Sequence, residues 1–139
     1  MFTTLVESEI NADIKKVFSY IRNFESMPKY NFSLKESSWV DSTQMACKIV
    51  LKLSIVEINS EYTISELKEN NRIVASCKAS ALEFEDLYEL ESRNEKTFLR
   101  ITDKMQLKGL LYFSEGLLAN TFKKEMQENM NRLVKILES

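Results

Sequence analysis

The chain opens on an alternation, with Phe2, Thr4, Val6, Ser8 and Ile10 on one face and Thr3, Leu5, Glu7 and Glu9 on the other, which predicts a half-buried strand. Asn11-Ala12-Asp13 breaks the pattern, and Asp13 stands where it can cap a helix carrying Ile14, Val17, Phe18 and Ile21 at helical spacing. A second apolar set, Phe24, Met27 and Tyr30, surrounds the lone Pro28, so two short helices are expected after the first strand. From about residue 32 to residue 107 the period is two. Met45, Cys47, Ile49, Leu51 and Leu53 share one face, and Lys48, Lys52 and Ser54 the other. Similar alternation recurs through Ile58 to Leu67, Ile73 to Ala79, Phe84 to Leu90 and Thr97 to Leu107, a meander of antiparallel strands. Turns fall at Asp41-Ser42-Thr43, Lys68 to Asn71 and Ser92 to Glu95, where Asn and Asp tolerate a left-handed backbone.

After Gly109 the period is helical again, and Leu118, Phe122, Met126, Met130, Leu133 and Leu137 form one stripe of a long C-terminal helix. Its other face mixes Lys123, Lys124, Arg132 and Lys135 with Glu125, Glu128 and Glu138, a solvated face rather than a basic membrane-binding one. Core packing is the ordinary use of such a stripe. The predicted class is α+β: a strand, two short helices, six further strands and a long terminal helix, with the sheet curled around that helix.

Composition narrows the chemistry. The 139 residues contain no histidine, two glycines, one proline and two cysteines. Without His there is no Ser-His-Asp or Cys-His nucleophile and no zinc-binding helix of the HExxH type. With glycine only at Gly109 and Gly116, neither a phosphate-cradling loop nor a GxGxxG turn can be written. The length suits one domain over residues 1–139, and 44% hydrophobic with 29% charged residues describes a soluble globular chain. A net charge of −2 carries no footprint for nucleic acid. The start, Met1 to Glu7, shows no basic segment and no apolar run long enough for a signal or a span, so a cytoplasmic location without integral membrane association is expected. Cys47 and Cys77 lack CxxC spacing, lie in apolar stretches and read as reduced core thiols.

The order of elements resembles the START-like superfamily, also called SRPBCC, which includes polyketide cyclase/dehydrase-like and lipid-binding proteins. The likeness covers nearly the whole chain. It is carried by Ser8-Glu9-Ile10-Asn11-Ala12-Asp13-Ile14-Lys15-Lys16-Val17-Phe18, similar to the family's strand, Asn-Ala and helix opening, and by Phe24-Glu25-Ser26-Met27-Pro28-Lys29-Tyr30. Thr63-Ile64-Ser65-Glu66-Leu67, Asn71-Arg72-Ile73 and the ending Leu133-Val134-Lys135-Ile136-Leu137-Glu138 continue it. The chain departs from the family at Lys108-Gly109-Leu110, which lacks the usual Gly and Pro before the long helix, and in a Tyr where many members carry Trp after the second helix. The resemblance implies a helix-grip: a seven-stranded curved antiparallel sheet and the C-terminal helix enclosing an elongated apolar cavity. The motifs specify a fold and not a reaction.

Antiparallel neighbours about a turn have residue numbers with a fixed sum, so registers can be estimated. Leu90 is set opposite Thr97, Tyr88 opposite Leu99, Asp86 opposite Ile101 and Phe84 opposite Asp103. The other turns set Glu66 opposite Ile73, Ile64 opposite Ala75, Tyr62 opposite Cys77, Cys77 opposite Asp86, and Ile49 opposite Tyr62. The expected concave row is Ile49, Tyr62, Cys77, Asp86 and Ile101, with Tyr88 and Asp103 as diagonal neighbours. Two carboxylates then point inward, close enough to share a proton, a water or a ligand hydroxyl. Burial and like charge raise one pKa, which makes such a pair usable as a general acid or base.

Three readings of the carboxylates stand side by side: polar groups that hold water or orient a ligand, an Asp turned to solvent by a β-bulge, and acid–base catalysis by Asp86 or Asp103. Cys77 reads as an inert thiol, and Tyr62 and Tyr88 as wall residues with hydrogen-bonding tips. Trp39 falls near the end of the second strand, at the core or the pocket rim.

The favoured function is binding of a hydrophobic small molecule or lipid between the sheet and the terminal helix. The expected ligand contacts are Ile49, Tyr62, Ile64, Cys77, Asp86 and Tyr88 with Ile101 and Asp103 from the sheet, and Leu118, Phe122 and Met126 from the helix. The alternatives are a polyketide cyclase or dehydratase-like enzyme using Asp86, Asp103 and Tyr62, with Tyr62 or Tyr88 stabilising an enolate, and a protein-interaction module. The outward residues, mostly Lys, Glu, Ser and Thr, weigh against the last. No cofactor or metal is implied, because without His a metal site needs carboxylates alone and only two stand close together. No nucleic acid is expected as a partner, and a homodimer is left open.

Overall fold

The computed structural model describes residues 1–53 and 55–139, with the backbone alone at Leu110. Strand β1 (Phe2–Ile10) buries Thr4, Val6 and Ile10 on its inner face. Helix α1 (Ile14–Arg22) starts as expected from Asp13, whose carboxylate accepts a hydrogen bond from Lys15 N at 3.0 Å and satisfies one of the helix's free donors. It buries Val17, Phe18 and Ile21. A 3₁₀ helix, Phe24–Lys29, follows, contains Pro28 and buries Phe24 and Met27.

These helices carry the chain from one edge of a sheet to the other. Strands β2 (Leu34–Trp39), β3 (Ala46–Leu53), β4 (Val56–Lys68), β5 (Arg72–Lys78), β6 (Leu82–Arg93) and β7 (Lys96–Leu107) form the expected meander. Strand β7 returns to pair with β1, giving a seven-stranded antiparallel sheet in the order β1-β7-β6-β5-β4-β3-β2. Bulges between Leu34 and Glu36 in β2 and between Ile64 and Glu66 in β4 add the local bend that lets the sheet curve.

The expected registers need correction at three hairpins. Leu90 pairs with Leu99, Tyr88 with Ile101, Asp86 with Asp103 and Phe84 with Met105, two residues from the estimate. Cys77 pairs with Phe84 rather than Asp86, and Tyr62 with Cys47 rather than Ile49. Each turn centre lies one residue from where the apolar pattern put it. A shift of two keeps every side chain on its face, so matching apolar faces could not detect the error. Tyr62 opposite Cys77 and Ile64 opposite Ala75 stand as estimated, but the β4 bulge puts Glu66 opposite Val74 instead of Ile73. Ser54, read as the outward end of β3 and the start of a turn, lies outside the described residues.

With glycine scarce, four other residues among those described have left-handed backbone: Gln44, Asn70, Asn94 and Glu95. At the first turn the strained residue is Gln44 and not Asp41, whose carboxylate instead accepts bonds from Thr43 N at 2.9 Å and Thr43 Oγ1. Asn94 and Glu95 are the two central residues between the paired Arg93 and Lys96, and both have positive φ, as a type I′ hairpin requires. Glycine suits the second of these positions better than glutamate. Glu95→Gly is therefore expected to raise stability by about 0.5–1 kcal/mol in a urea titration; an unchanged or lowered midpoint would refute the strain argument.

Gly109, at φ +58°, turns the chain out of β7 into a 3₁₀ helix, Gly109–Ser114, and then α2 (Glu115–Glu138). Met126, Met130, Leu133 and Leu137 of the predicted stripe are buried over the concave face, while Leu118 and Phe122 are half-buried. The C-terminal part of α2 is tied down by the early helices and the loop after them. Lys16 Nζ donates to Leu137 O at 2.8 Å, Asn11 N to the Glu138 carboxylate at 2.8 Å and Arg132 Nε to Tyr30 O at 3.0 Å. The Arg132 guanidinium also lies 3.8 Å over the Phe32 ring. No described helix is long and apolar enough to cross a membrane.

Candidate functional site

The observed registers put Asp86 of β6 directly opposite Asp103 of β7, in a row that runs Ile64, Ala75, Asp86, Asp103 and Thr4 across five strands. Ala75, fully buried, is the smallest neighbour in the row. The carboxyl groups stand within hydrogen-bonding reach of each other. Direct opposition replaces the diagonal arrangement expected from sequence.

Two tyrosines from adjacent rows converge on this pair. Tyr62 Oη donates to Asp86 Oδ2 at 2.5 Å, and the Tyr62 and Tyr88 hydroxyls are 3.0 Å apart. Tyr62 has only one hydroxyl proton and spends it on Asp86, so Tyr88 donates to Tyr62. Phe24 fixes both rings from the helical side. It is fully buried, with ring centroids 5.0 Å from Tyr62 and 6.3 Å from Tyr88, and stacks on Trp39 at 5.8 Å.

Burial, then the charge of Asp86, holds the Asp103 carboxyl protonated well above the usual carboxylate range. Burial also raises Asp86, but hydrogen bonds from Asp103 and Tyr62 oppose the rise. Both carboxyls are thus raised, and the pair holds a proton to higher pH than free carboxylates do. Burial and neighbouring charge push Tyr62 and Tyr88 well up, so both phenols stay neutral. Burial likewise raises the Cys77 thiol, in keeping with an inert role.

A chamber of about 80 Å³ lies between this pair and α2, lined by Asp86, Asp103, Tyr88, Ile101, Phe122 and Met126 among others. Asp103 is 3% exposed, while Asp86, equally deep, keeps part of its surface open to the chamber. A second hollow of about 310 Å³ shares Leu53, Met105 and Phe122 with the chamber and reaches the surface past Phe2, Leu117 and Leu118. The two hollows adjoin at the three shared residues, and the inner one carries the acidic groups. Lys52 and Glu125 line the outer one. A wider hollow of about 680 Å³ on the outer face of β2 to β4 is open and charged, lined by Glu36, Lys48, Glu61 and Lys78, and has no part in this constellation.

Most of the residues singled out from sequence come together here, and some do not. Asp86, Tyr88, Ile101, Asp103, Phe122 and Met126 face the chamber, and Leu118 lines the outer hollow. Tyr62 acts from behind Asp86. Ile49, Ile64 and Cys77 are buried in the sheet and line neither hollow. Tyr30 was missed as a site residue. It lines the chamber from the end of the 3₁₀ helix, and its hydroxyl, like Asp103 Oδ1, is buried with no hydrogen-bond partner. The available signal was a tyrosine within an otherwise apolar buried set. The surface also carries exposed apolar side chains that the outward Lys, Glu and Ser pattern did not foreshadow: Tyr112, Phe113 and Leu117, of which Leu117 lines the outer hollow, and Ile55 at the tip of the β3–β4 hairpin.

Comparison with known proteins agrees with this architecture. No curated protein matches the chain. Among solved structures, a conserved protein from Geobacillus kaustophilus superposes with a TM-score of 0.78 at 13% identity, covering 98% of this chain and 95% of its own. A START superfamily protein from Mycobacterium smegmatis gives 0.71 at 16% identity, covering 98% of this chain and 94% of that one. The di-domain ARO/CYC protein BexL gives 0.75 at 12% identity, covering 97% of this chain and 46% of BexL. These likenesses establish the helix-grip fold. The model of the polyketide cyclase / dehydrase and lipid transport family matches residues 1–138, and the chain belongs to that family.

Proposed function

We propose that this protein binds a hydrophobic small molecule or lipid in the channel between the curved sheet and α2. The observation that supports this reading is the pair of adjoining hollows, with apolar walls and a few convergent polar groups at the inner end in the manner of ligand pockets generally; this reading takes them as one channel. The family's description, which joins cyclases and dehydrases with lipid transport, supports the same class of ligand. Two free buried thiols suit a reducing, cytoplasmic setting.

Nile red, a neutral apolar dye, is expected to bind with a blue-shifted emission that saturates at one equivalent. Met126→Trp, which fills the chamber wall, should weaken that binding at least about tenfold, since a packed interior has no room for both. Absence of saturable binding, or binding indifferent to Met126→Trp, would refute the channel as the site.

A second reading is favoured by one observation, the proton-sharing acid pair. In it Asp86 takes a proton from a carbon next to a ligand carbonyl and Asp103 supplies one. Tyr62 and Tyr88 are committed to Asp86 and to each other, so the phenol free to stabilise an enolate is Tyr30. With a polyketide-like substrate, Asp86→Asn should lower turnover at least about 100-fold while leaving a substrate complex detectable by native mass spectrometry. Turnover retained in that variant would dismiss this reading.

A further inference from the structure

We propose that the channel selects a protonated amine carried on an apolar body, with the ammonium held at the inner end by Asp86 and Asp103; the inference rests on the channel-binding reading above. The first ground is charge. No lysine or arginine lines the inner chamber, whose polar groups are two carboxyls, two phenols and neutral amide and hydroxyl side chains. Among the described residues, neither Asp86 nor Asp103 takes part in an ion pair; the salt bridges lie elsewhere. A carboxyl pair with one proton still carries one negative charge, and here only hydrogen bonds offset it.

The second ground is hydrogen-bond capacity. Tyr30 Oη is buried without a partner and Asp103 Oδ1 has none beyond the facing Asp86 carboxyl, and such atoms are rare enough to require an explanation. An ammonium offers three donors and no acceptor, which matches a carboxylate oxygen on each aspartate and the lone pair of a phenol. A hydroxyl offers one donor and no charge. A carboxylate offers acceptors to a site already rich in them and adds like charge in a poorly screened setting.

The third ground is direction. The only cationic side chain lining either hollow is Lys52, at the mouth and in company with Glu125, so a fatty-acid head group finds its partner at the solvent end. An amine finds its partner at the buried end, with the hydrocarbon tail running out past Phe122 and Leu118.

The test is a chain-matched series, octylamine, octan-1-ol and octanoate, titrated calorimetrically into the wild-type protein at neutral pH. The expected order is octylamine tightest, by at least about 10-fold over octan-1-ol and about 100-fold over octanoate. Asp86→Asn and Asp103→Asn, each shown to be folded by circular dichroism, should reduce the amine-over-alcohol preference at least about tenfold. Should either variant fail to fold, the wild-type order alone decides. Octanoate or octan-1-ol binding as tightly as octylamine overturns the inference and leaves the channel reading intact. A preference undiminished in both folded variants also overturns it, because the ammonium must then be held elsewhere. Binding of none of the three, together with no binding of Nile red, overturns both.

Discussion

Phe24→Ala is expected to be the most damaging single substitution near the site, lowering unfolding free energy by about 3–5 kcal/mol. Phe24 is fully buried and packs against three aromatic rings, Trp39, Tyr62 and Tyr88, from the first position of the 3₁₀ helix. Truncation removes the ring's transfer free energy, leaves a cavity and breaks aromatic pairs worth about 0.5–1.5 kcal/mol each. Whole domains are stable by only about 5–15 kcal/mol, so the variant stands near the edge of unfolding. A guanidinium titration followed by Trp39 fluorescence checks this. The free Trp39 face should also shift its emission to the red before unfolding begins. A loss below about 1 kcal/mol would show that the neighbouring rings collapse into the space, and that Phe24 does not brace the Tyr62–Asp86 bond.

Asp103→Asn should act in the opposite sense and make the protein more stable at neutral pH, by about 1–3 kcal/mol. Asparagine keeps the shape of the protonated acid, and its amide can donate to Asp86 as the carboxyl proton does. The sign follows from proton linkage. The unfolded chain releases the Asp103 proton near the ordinary carboxylate range, about pH 4, whereas the folded chain holds it to higher pH. Between those two values the folded state binds more protons, so wild-type stability falls as pH rises through the window. Above the folded pKa the loss is complete and constant. Asp86, also raised by burial, adds to the same slope. Thermal unfolding from pH 4 to pH 8 should show a declining Tm for the wild type and a flatter profile for Asp103→Asn, with a gain of roughly 3–4 °C per kcal/mol for a chain of this size. Identical profiles would mean that Asp103 ionises freely in the folded state. A stability cost that a neutral isostere removes is what the proposed binding role of Asp103 predicts.

The element order was legible along the chain with little ambiguity. Asp13 as a helix cap, the stripe through Met126, Met130, Leu133 and Leu137, and the inward set Cys47, Ile49, Leu51 and Leu53 all follow from local periodicity, and each is found buried or capped as read. The inward orientation of Asp86 and Asp103 was legible for the same reason, since both share a parity with apolar neighbours on their strands.

Which residue meets which was not legible. Strand periodicity has a repeat of two, so a register two residues off preserves every face and every apolar match. The choice among such registers falls to the turns, and at the β6–β7 hairpin the turn chemistry misled: Glu95 adopts a left-handed backbone that glycine would ordinarily mark. The direct opposition of Asp86 and Asp103, the commitment of the Tyr62 proton to Asp86 and the arrival of Tyr30 at the chamber all depend on contacts between residues far apart in the chain.

The sequence by itself thus determined the elements, their order and the inward face of each, because those properties are local and repeat along the chain. Only the tertiary structure decided the pairings, the hollows and the meeting of the two carboxyls, because these depend on turn geometry, bulges and the depth at which two carboxyls are brought together.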